Sequence, residues 1–355
     1  MVQDMDSDTY ASSLVPFYEQ WISKIPGPVY LKPLLVSIPF LFGHALLGLS
    51  FGVNVFLDLS WMLSIMIGGI LMLVIIATRR LRVFLDRIYE VFYISSENPV
   101  PEEIIRNVFS TKTMLSFGVF FGGVNSLLGI FYGIWYQEPF LIASLLIQFF
   151  VIGGVCGFAI SGIYGVLKLV RYAVEYGAYS LEVTACDQCG GMSRVGSNLL
   201  EFALVSLIGG LLIAYYVYNS PWSNTDWTLV MYAIYFWMGF PHLAAIVVVS
   251  VPLLQLHKVL AAEKNRKVTA ISNERRNLRE ELLTKLTNSN QVSEDQVLLL
   301  NTKYSILSEL SNEVNAIREW PFNMNSGVSF SLTYLITLAI PLLELWQSLS
   351  GLLAE

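Results

Sequence analysis

Two cysteines with the spacing of metal ligands, Cys186 and Cys189, stand in a polar segment near the middle of the chain. A structural zinc ion takes four ligands, and a second CxxC or a pair of histidines usually completes the set. The chain offers neither, because its third cysteine, Cys156, lies in a long apolar run and its three histidines are far apart. The pattern predicts reduced structural thiols, with zinc shared between subunits as the weaker alternative. We expect no cofactor.

Ionisable residues are rare in the apolar runs, and each is a candidate functional group because a charge in hydrocarbon is costly unless it is compensated. The main cases are His44, His242 and Glu344, with Glu201 at the edge of a run. A lone neutral histidine is often hydrogen-bonded inside a helix bundle, so both histidines also have a purely structural interpretation. Glu344 is expected at the mouth of a pathway or, alternatively, in headgroup water.

The last apolar run is rich in hydroxyl groups. Thr333 and Thr337 lie in its first half together with Ser329 and Ser331. A helix beside an aqueous path uses such groups, whereas a lipid-facing helix needs few. Spacings of two and four residues place them on more than one face of a helix, so they do not define a single stripe. We expect Thr333, Thr337 and Glu344 to lie near a cation pathway.

Signatures of catalysis and of nucleic-acid binding are missing from the sequence. It contains no G-x-G-x-x-G, P-loop, H-E-x-x-H or G-x-S-x-G pattern. The basic residues of the last third alternate with acidic ones such as Glu263, Glu274 and Glu280, so they form no basic patch. We expect neither an enzyme nor a nucleic-acid partner.

The elements that carry these residues are helices that cross a bilayer. Apolar residues make up 55% of the chain and charged residues 14%, whereas a soluble domain carries charge on about a quarter of its residues. A helix needs about 20 residues to cross the hydrocarbon, and only helices satisfy the backbone of such runs in lipid. Seven runs are long enough, at approximately 33–57, 60–77, 114–136, 139–167, 200–218, 228–254 and 328–349.

Lysine and arginine indicate the orientation of these helices. All 21 basic residues lie in the N-terminal segment or in the segments after the second, fourth and sixth runs. The intervening loops are short, and their charged residues are the acidic Asp58, Glu138 and Asp226. Because basic loops stay in the cytoplasm, the sequence predicts an all-α, seven-span protein of the plasma membrane, with its N-terminus inside and its C-terminus outside. The lipid bilayer is its first expected partner.

Glycines recur at four-residue spacing in the third and fourth runs. Gly118 and Gly122 lie in the third run, and Gly153 and Gly157 lie in the fourth. Glycines on one helical face allow two helices to approach closely, which is a common basis of helix association in lipid. The pattern predicts tight packing of these runs, with a hinge or pore lining as the minority alternative.

The sequence predicts helices outside the membrane in two further segments. In the N-terminal segment, 1–32, apolar and aromatic residues between 14 and 25 follow helical spacing, so a short helix is expected either in the membrane interface or against the protein itself. After the six runs of 33–254, the polar segment 255–325 predicts an α-hairpin with its turn at 288–291. Its second arm carries a seam of apolar residues, whose partner is the first arm or another subunit. The last unit, 326–355, is the seventh helix.

The predicted layout resembles that of the insect odorant- and gustatory-receptor channels. Thr333 and Tyr334 are similar to the Thr-Tyr pair at the start of that family's last helix, whereas Ile340 and Pro341 stand where the family has Gln-Phe. The resemblance implies an oligomer, a tetramer in that family, whose last helix lines the pore.

Of the functions considered, a channel requires the fewest specific residues in the sequence. Gating by dewetting and selection by rings of polar groups can be built from apolar helices and symmetry. We therefore expect a homo-oligomeric, channel-like protein that passes cations. One alternative is a seven-helix sensor or scaffold that recruits a cytoplasmic protein through 255–325. Another is a secondary transporter, although the chain shows neither midplane carboxylates nor an internal repeat.

Overall fold

The computed structural model describes residues 16–354 except 29–30, 58–59, 93–102, 105, 108–109, 132–137, 180, 184, 186, 220–227, 288–293 and 323. Helices account for 86% of the described residues. No strand occurs among these residues. The helices are α1 (Phe17–Ser23), α2 (Lys32–Leu35), α3 (Ser37–Ser50), α4 (Trp61–Val91), α5 (Thr111–Phe131), α6 (Pro139–Tyr176), α7 (Ser193–Asn219), α8 (Thr228–Thr287), α9 (Glu294–Ala316) and α10 (Met324–Ala354).

Six segments of the described chain are helical, long and apolar enough to cross a membrane. They comprise Lys32–Ser50, the whole of α6 and parts of α4, α5, α7 and α8, and they make this a multi-pass membrane protein. The seventh expected span falls in α10, where the described apolar stretch is the shorter Gly327–Ala339. The seventh span and the N-in/C-out orientation therefore stay predictions.

The first membrane helix ends earlier than the apolar run predicts. The run continues to residue 57, but α3 ends at Ser50 because Gly52 adopts a left-handed φ of +69°. The N–H of Gly52 then donates to the carbonyl of Leu49, and the N–H of Val53 donates to that of Gly48. This pair of bonds is a Schellman motif, in which glycine supplies the left-handed residue that terminates a helix.

Several helices extend beyond the hydrocarbon. α4 continues through Arg79, Arg80 and Arg82 to Val91 without a break. α8 has 60 residues, which corresponds to about 90 Å of helix, roughly three times the hydrocarbon thickness. Its C-terminal part must therefore project from the bilayer.

Four helices form the centre of the bundle. α4 and α8 each pack against both α6 and α7, so the four helices enclose a central space. α5 packs on the outside of α6, α3 packs against α4 and α6, and α10 packs against α7 and, less extensively, α8. In the described residues, α10 is thus a peripheral element of the bundle.

The contact between α5 and α6 is built on glycines, as their spacing predicts. A Cβ atom on Gly153 would lie 2.5 Å from the carbonyl oxygen of Phe121, and one on Gly157 would lie 2.5 Å from that of Phe117. On the facing helix, a Cβ atom on Gly122 would lie 2.7 Å from a backbone oxygen of α6. Because any side chain at these positions would meet backbone, the two helices can be this close only with glycine.

The short helix α1 packs against the protein rather than standing free in the interface. Tyr18 and Ile22 are buried, and the hydroxyl of Tyr18 is hydrogen-bonded to that of Thr78 on α4. Glu19 forms ion pairs with Arg79 and Arg82 of α4. These contacts place α1 at the end of the bundle that carries the α4 arginines, which we call the basic end.

The polar hairpin packs within one chain. α9 lies against the projecting part of α8, and its seam residues Leu300 and Val314 are buried. Lys264 of α8 donates to the carbonyls of Asn315 and Ile317, so that its ammonium group caps the C-terminus of α9. The expected turn at 288–291 lies outside the described residues.

Candidate functional site

The hydroxyl groups of α10 divide between its two faces. Thr337 is buried against the bundle and donates to the carbonyl of Tyr334, 2.9 Å away. Thr333 is half-buried, and its hydroxyl donates to the carbonyl of Ser329 at 2.9 Å. Ser331 is exposed, and its hydroxyl donates to the carbonyl of Gly327 at 2.9 Å. Bonds of this kind satisfy a hydroxyl within its own helix, so none of the three needs a polar partner elsewhere.

The outer face of α10 is not covered by the rest of the described chain. Large apolar side chains occupy its centre, and Ser329 and Ser331 lie at its two edges. The backbone of α10 extends past Glu344, but the side chain of Glu344 lies outside the described residues. The apolar residues exposed on this face are Val328, Leu332, Leu335, Ile336, Leu342, Leu343 and Trp346.

His242 lies where α8 meets α7 and α10. It is 3% exposed, and its Nδ1 lies 3.0 Å from the carbonyl oxygen of Met238. Because a carbonyl only accepts, Nδ1 carries the hydrogen and Nε2 is the free acceptor, with no partner among the described residues. The imidazole meets the ring of Tyr334 edge to face at 6.1 Å. His242 is therefore near the buried side of α10, where Thr337 also lies.

His44 belongs to a different part of the bundle. Its Nδ1 lies 3.1 Å from the hydroxyl of Ser144 on α6, and its Nε2 lies 2.9 Å from that of Ser60, which precedes α4. In the same region, the hydroxyl of Ser64 donates to Oε1 of Gln148 at 2.7 Å. These bonds join α3, α4 and α6, and they support the structural interpretation of His44. Of the predicted site residues, His242 thus lies near the side of α10 that carries Thr337, whereas His44 lies elsewhere in the bundle.

The cysteine loop is organised by a carboxylate. Asp187 accepts backbone N–H bonds from Cys189 at 2.9 Å, Gly191 at 3.1 Å and Ser193 at 3.0 Å. Burial and the charge of Asp187 raise the pKa of the Cys189 thiol, and Arg318 offsets part of this effect. Cys186 lies outside the described residues, and the others contain no group of three His, Cys, Asp or Glu side chains that could hold a metal.

This loop also holds the connection into α10. The carbonyl of Gln188 accepts the N–H of Arg318 at 2.8 Å, and the thiol of Cys189 lies 3.9 Å from the carbonyl of Phe322. A Cβ atom on Gly196 would lie 1.6 Å from the carbonyl oxygen of Pro321. The segment that precedes α10 is therefore fixed by backbone contacts that tolerate no bulk at Gly196.

A cavity of about 130 Å³ occupies the centre of the bundle between α4, α6, α7 and α8. Apolar side chains line most of it, and Tyr18 and Thr78 belong to its lining near the basic end. Sequence reasoning missed this cavity, because it arises where four helices meet with small residues such as Ala77, Gly162 and Gly209 in the lining. Small residues in apolar runs are too common to predict a cavity by themselves.

One polar group of the lining lacks a partner. Trp237 of α8 is 7% exposed, and its indole N–H has no acceptor among the described residues. An unpaired buried donor costs roughly 1–3 kcal/mol. The lining hydroxyls, in contrast, are engaged: Ser206 donates to the carbonyl of Pro241 at 3.0 Å, and Thr78 is bonded to Tyr18 and to the carbonyl of Val74. Trp237 is therefore the polar feature of the cavity that calls for an explanation.

Comparison with known proteins leaves these features to be interpreted on their own. No family model matches the chain, and no curated protein and no solved structure is significantly similar to it. What is established is the class to which the chain belongs: an all-helical protein with six described helices that are long and apolar enough to span a membrane.

Proposed function

We propose that the protein is an oligomeric, channel-like membrane protein that passes cations along a path beside α10. The observation that carries this proposal is the uncovered outer face of α10, a peripheral helix that packs against α7 and α8. We propose that other copies of the chain, arranged around a shared axis, enclose the space in front of this face. In a ring of subunits, α10 of each copy would approach the axis.

The interior of one subunit supports a path between subunits rather than through one. The central cavity is lined mainly by apolar side chains and includes no charged side chain that could replace the hydration of an ion. The outer face of α10, in contrast, combines apolar side chains with Ser329 and Ser331. Apolar constrictions can gate by dewetting, and hydroxyl groups can line the wider parts of a path.

Charge supports cations as the permeant species. In the predicted topology, Asp58, Glu138, Asp226 and Glu344 lie toward the outer ends of the helices, and no basic residue lies there. A mouth lined by carboxylates has a negative potential, which concentrates cations. Glu344 is the member of this set that lies on α10.

Conductance of the purified protein in lipid bilayers tests the proposal. Wild-type protein should give cation currents, Glu344→Gln should reduce them, and Glu344→Lys should abolish cation selectivity because it reverses the charge at the mouth. Glu313→Gln is the matched control, since it removes an exposed carboxylate from α9, outside the set at the mouth. Absence of current in wild type over a range of voltages would contradict the proposal. Wild-type currents in Glu344→Lys would exclude Glu344 from the path.

A second candidate, a membrane sensor or scaffold, is favoured by an exposed apolar patch on α9. Leu298, Leu299 and Ile306 are 66%, 57% and 58% exposed on a helix that projects from the bundle, and such side chains suit contact with another protein. If this patch recruits a partner, Leu298→Asp with Ile306→Asp should abolish the recruitment of that partner without changing the subunit number. A change in subunit number instead would place the patch between copies of the chain.

A further inference from the structure

The central cavity has the size and shape of a binding site for a slender molecule. Apolar cavities of about 150 Å³ admit molecules such as benzene, and this partly open cavity has about 130 Å³. Its lining follows α4 from Ile70 to Leu81, a distance of about 16 Å along a helix. The space is therefore narrow relative to its length, which suits a short chain better than a compact ring system.

The cavity has few polar groups. Of the nitrogen and oxygen donors of its lining, the indole N–H of Trp237 is the one without an acceptor among the described residues. The hydroxyls of Ser206 and Thr78 already donate to carbonyls of the bundle, so they retain only acceptor lone pairs. A molecule that is apolar along its length and carries one acceptor matches this lining.

We propose that the central cavity binds a slender apolar molecule with a single hydrogen-bond acceptor, such as a medium-chain ketone, ester or aldehyde, and that the acceptor pairs with the N–H of Trp237. A hydrocarbon segment of a lipid tail would fill the same space but would leave the indole N–H unpaired. Binding is separate from conduction, because it can be measured in protein that carries no current.

Photolabelling with a matched pair of probes tests the proposal. One probe is a medium-chain methyl ketone with an alkyl diazirine, and the other is the same molecule with a methylene group in place of the carbonyl. The full chain in lipid nanodiscs is irradiated with each probe, and the adducts are located by peptide mass spectrometry. The ketone should label residues that line the cavity, and an excess of the unlabelled ketone should suppress these adducts. Adducts confined to the outer surface of the bundle would overturn the proposal.

Removal of the indole N–H of Trp237 distinguishes a hydrogen bond to the ketone from non-specific partitioning of an apolar probe into the cavity. Trp237→Phe should raise the ketone concentration that gives half-maximal labelling by about fivefold, the equivalent of one hydrogen bond of roughly 1 kcal/mol, and should leave labelling by the methylene probe unchanged. The matched control is Trp61→Phe, because Trp61 lies outside the cavity lining. Equal labelling by both probes, unaffected by Trp237→Phe, would assign the cavity to lipid tails and overturn the paired acceptor.

Filling the cavity provides a second, independent test. Gly162 lines the cavity, and a Cβ atom there would meet nothing within 4 Å, so Gly162→Leu should place a side chain in the space and remove labelling by both probes. Gly123 is equally open but lies on α5 outside the lining, so Gly123→Leu should label as wild type does. Unchanged adducts in Gly162→Leu would overturn the site. If that variant does not fold, suppression by unlabelled ketone in wild type decides the question.

Discussion

Substitution of a single glycine should reveal how closely α5 and α6 are packed. In Gly153→Ala the new Cβ would lie 2.5 Å from the carbonyl oxygen of Phe121 and 2.7 Å from Cβ of Asn125. Since the first of these atoms is backbone, α5 must move away from α6 before the contact reaches an ordinary separation. Overpacking of this kind costs typically about 1–3 kcal/mol. Gly123→Ala is the control, because a Cβ atom there meets nothing within 4 Å.

The comparison of the two alanine variants isolates this packing cost. Both glycines lie inside helices, so the intrinsic preference of a helix for alanine over glycine, roughly 1 kcal/mol, cancels in the difference. We expect Gly153→Ala to have a free energy of unfolding about 1–3 kcal/mol lower than Gly123→Ala. The measurement is equilibrium unfolding of the two purified proteins in the same lipid bicelles. Equal stability within about 0.5 kcal/mol would show that α5 and α6 are not in backbone contact at Gly153.

Three further predictions address the parts outside the bundle. A cysteine introduced at Asn290, in a variant without the native cysteines, should react with an impermeant reagent only from the cytoplasmic side; labelling from outside would refute the predicted orientation. Leu300→Ala should lower the free energy of unfolding by about 2–5 kcal/mol because Leu300 is 5% exposed, whereas Leu298→Ala should change it by less than about 0.5 kcal/mol; equal effects would show that the α8–α9 seam is not buried. Cys189 should be alkylated at pH 8 more slowly than a free cysteine, because it is buried and because burial and the charge of Asp187 raise the pKa of its thiol; the rate should rise with pH, and Arg318→Gln should slow alkylation further by removing a positive charge that lowers this pKa. Peptide mass spectrometry measures these rates, and an unchanged rate in Arg318→Gln would exclude the electrostatic effect.

Composition and periodicity were sufficient to predict the helical class of the protein and the glycine contact. An apolar run of sufficient length has one stable form in lipid, and glycines at four-residue spacing have few uses other than close approach. The sequence also contained a signal for the early end of α3, since Gly52 is followed by two residues of low helix propensity. In the structure, Val55 then packs against Gly48. Hydropathy does not register that signal, because glycine and valine do not reduce the apolar average.

Tertiary arrangement was less accessible to sequence reasoning. The stripe of α1 fits the membrane interface as well as it fits the protein, and the ion pairs of Glu19 with Arg79 and Arg82 favour the second. Likewise, the spacing of hydroxyl groups on α10 does not tell which face is covered, and packing places Thr337 inside and Ser331 outside. The cavity beside Trp237 depends on how four helices pack together, which no local pattern encodes.

The number and arrangement of subunits around α10 test the central claim most directly. Particle images of the purified protein in lipid nanodiscs would give both. The account predicts a closed ring of identical subunits, with the face that carries Ser331 and Leu335 of each α10 turned toward a continuous axial path. A monomer, or an oligomer in which that face of α10 is directed to lipid, would contradict it.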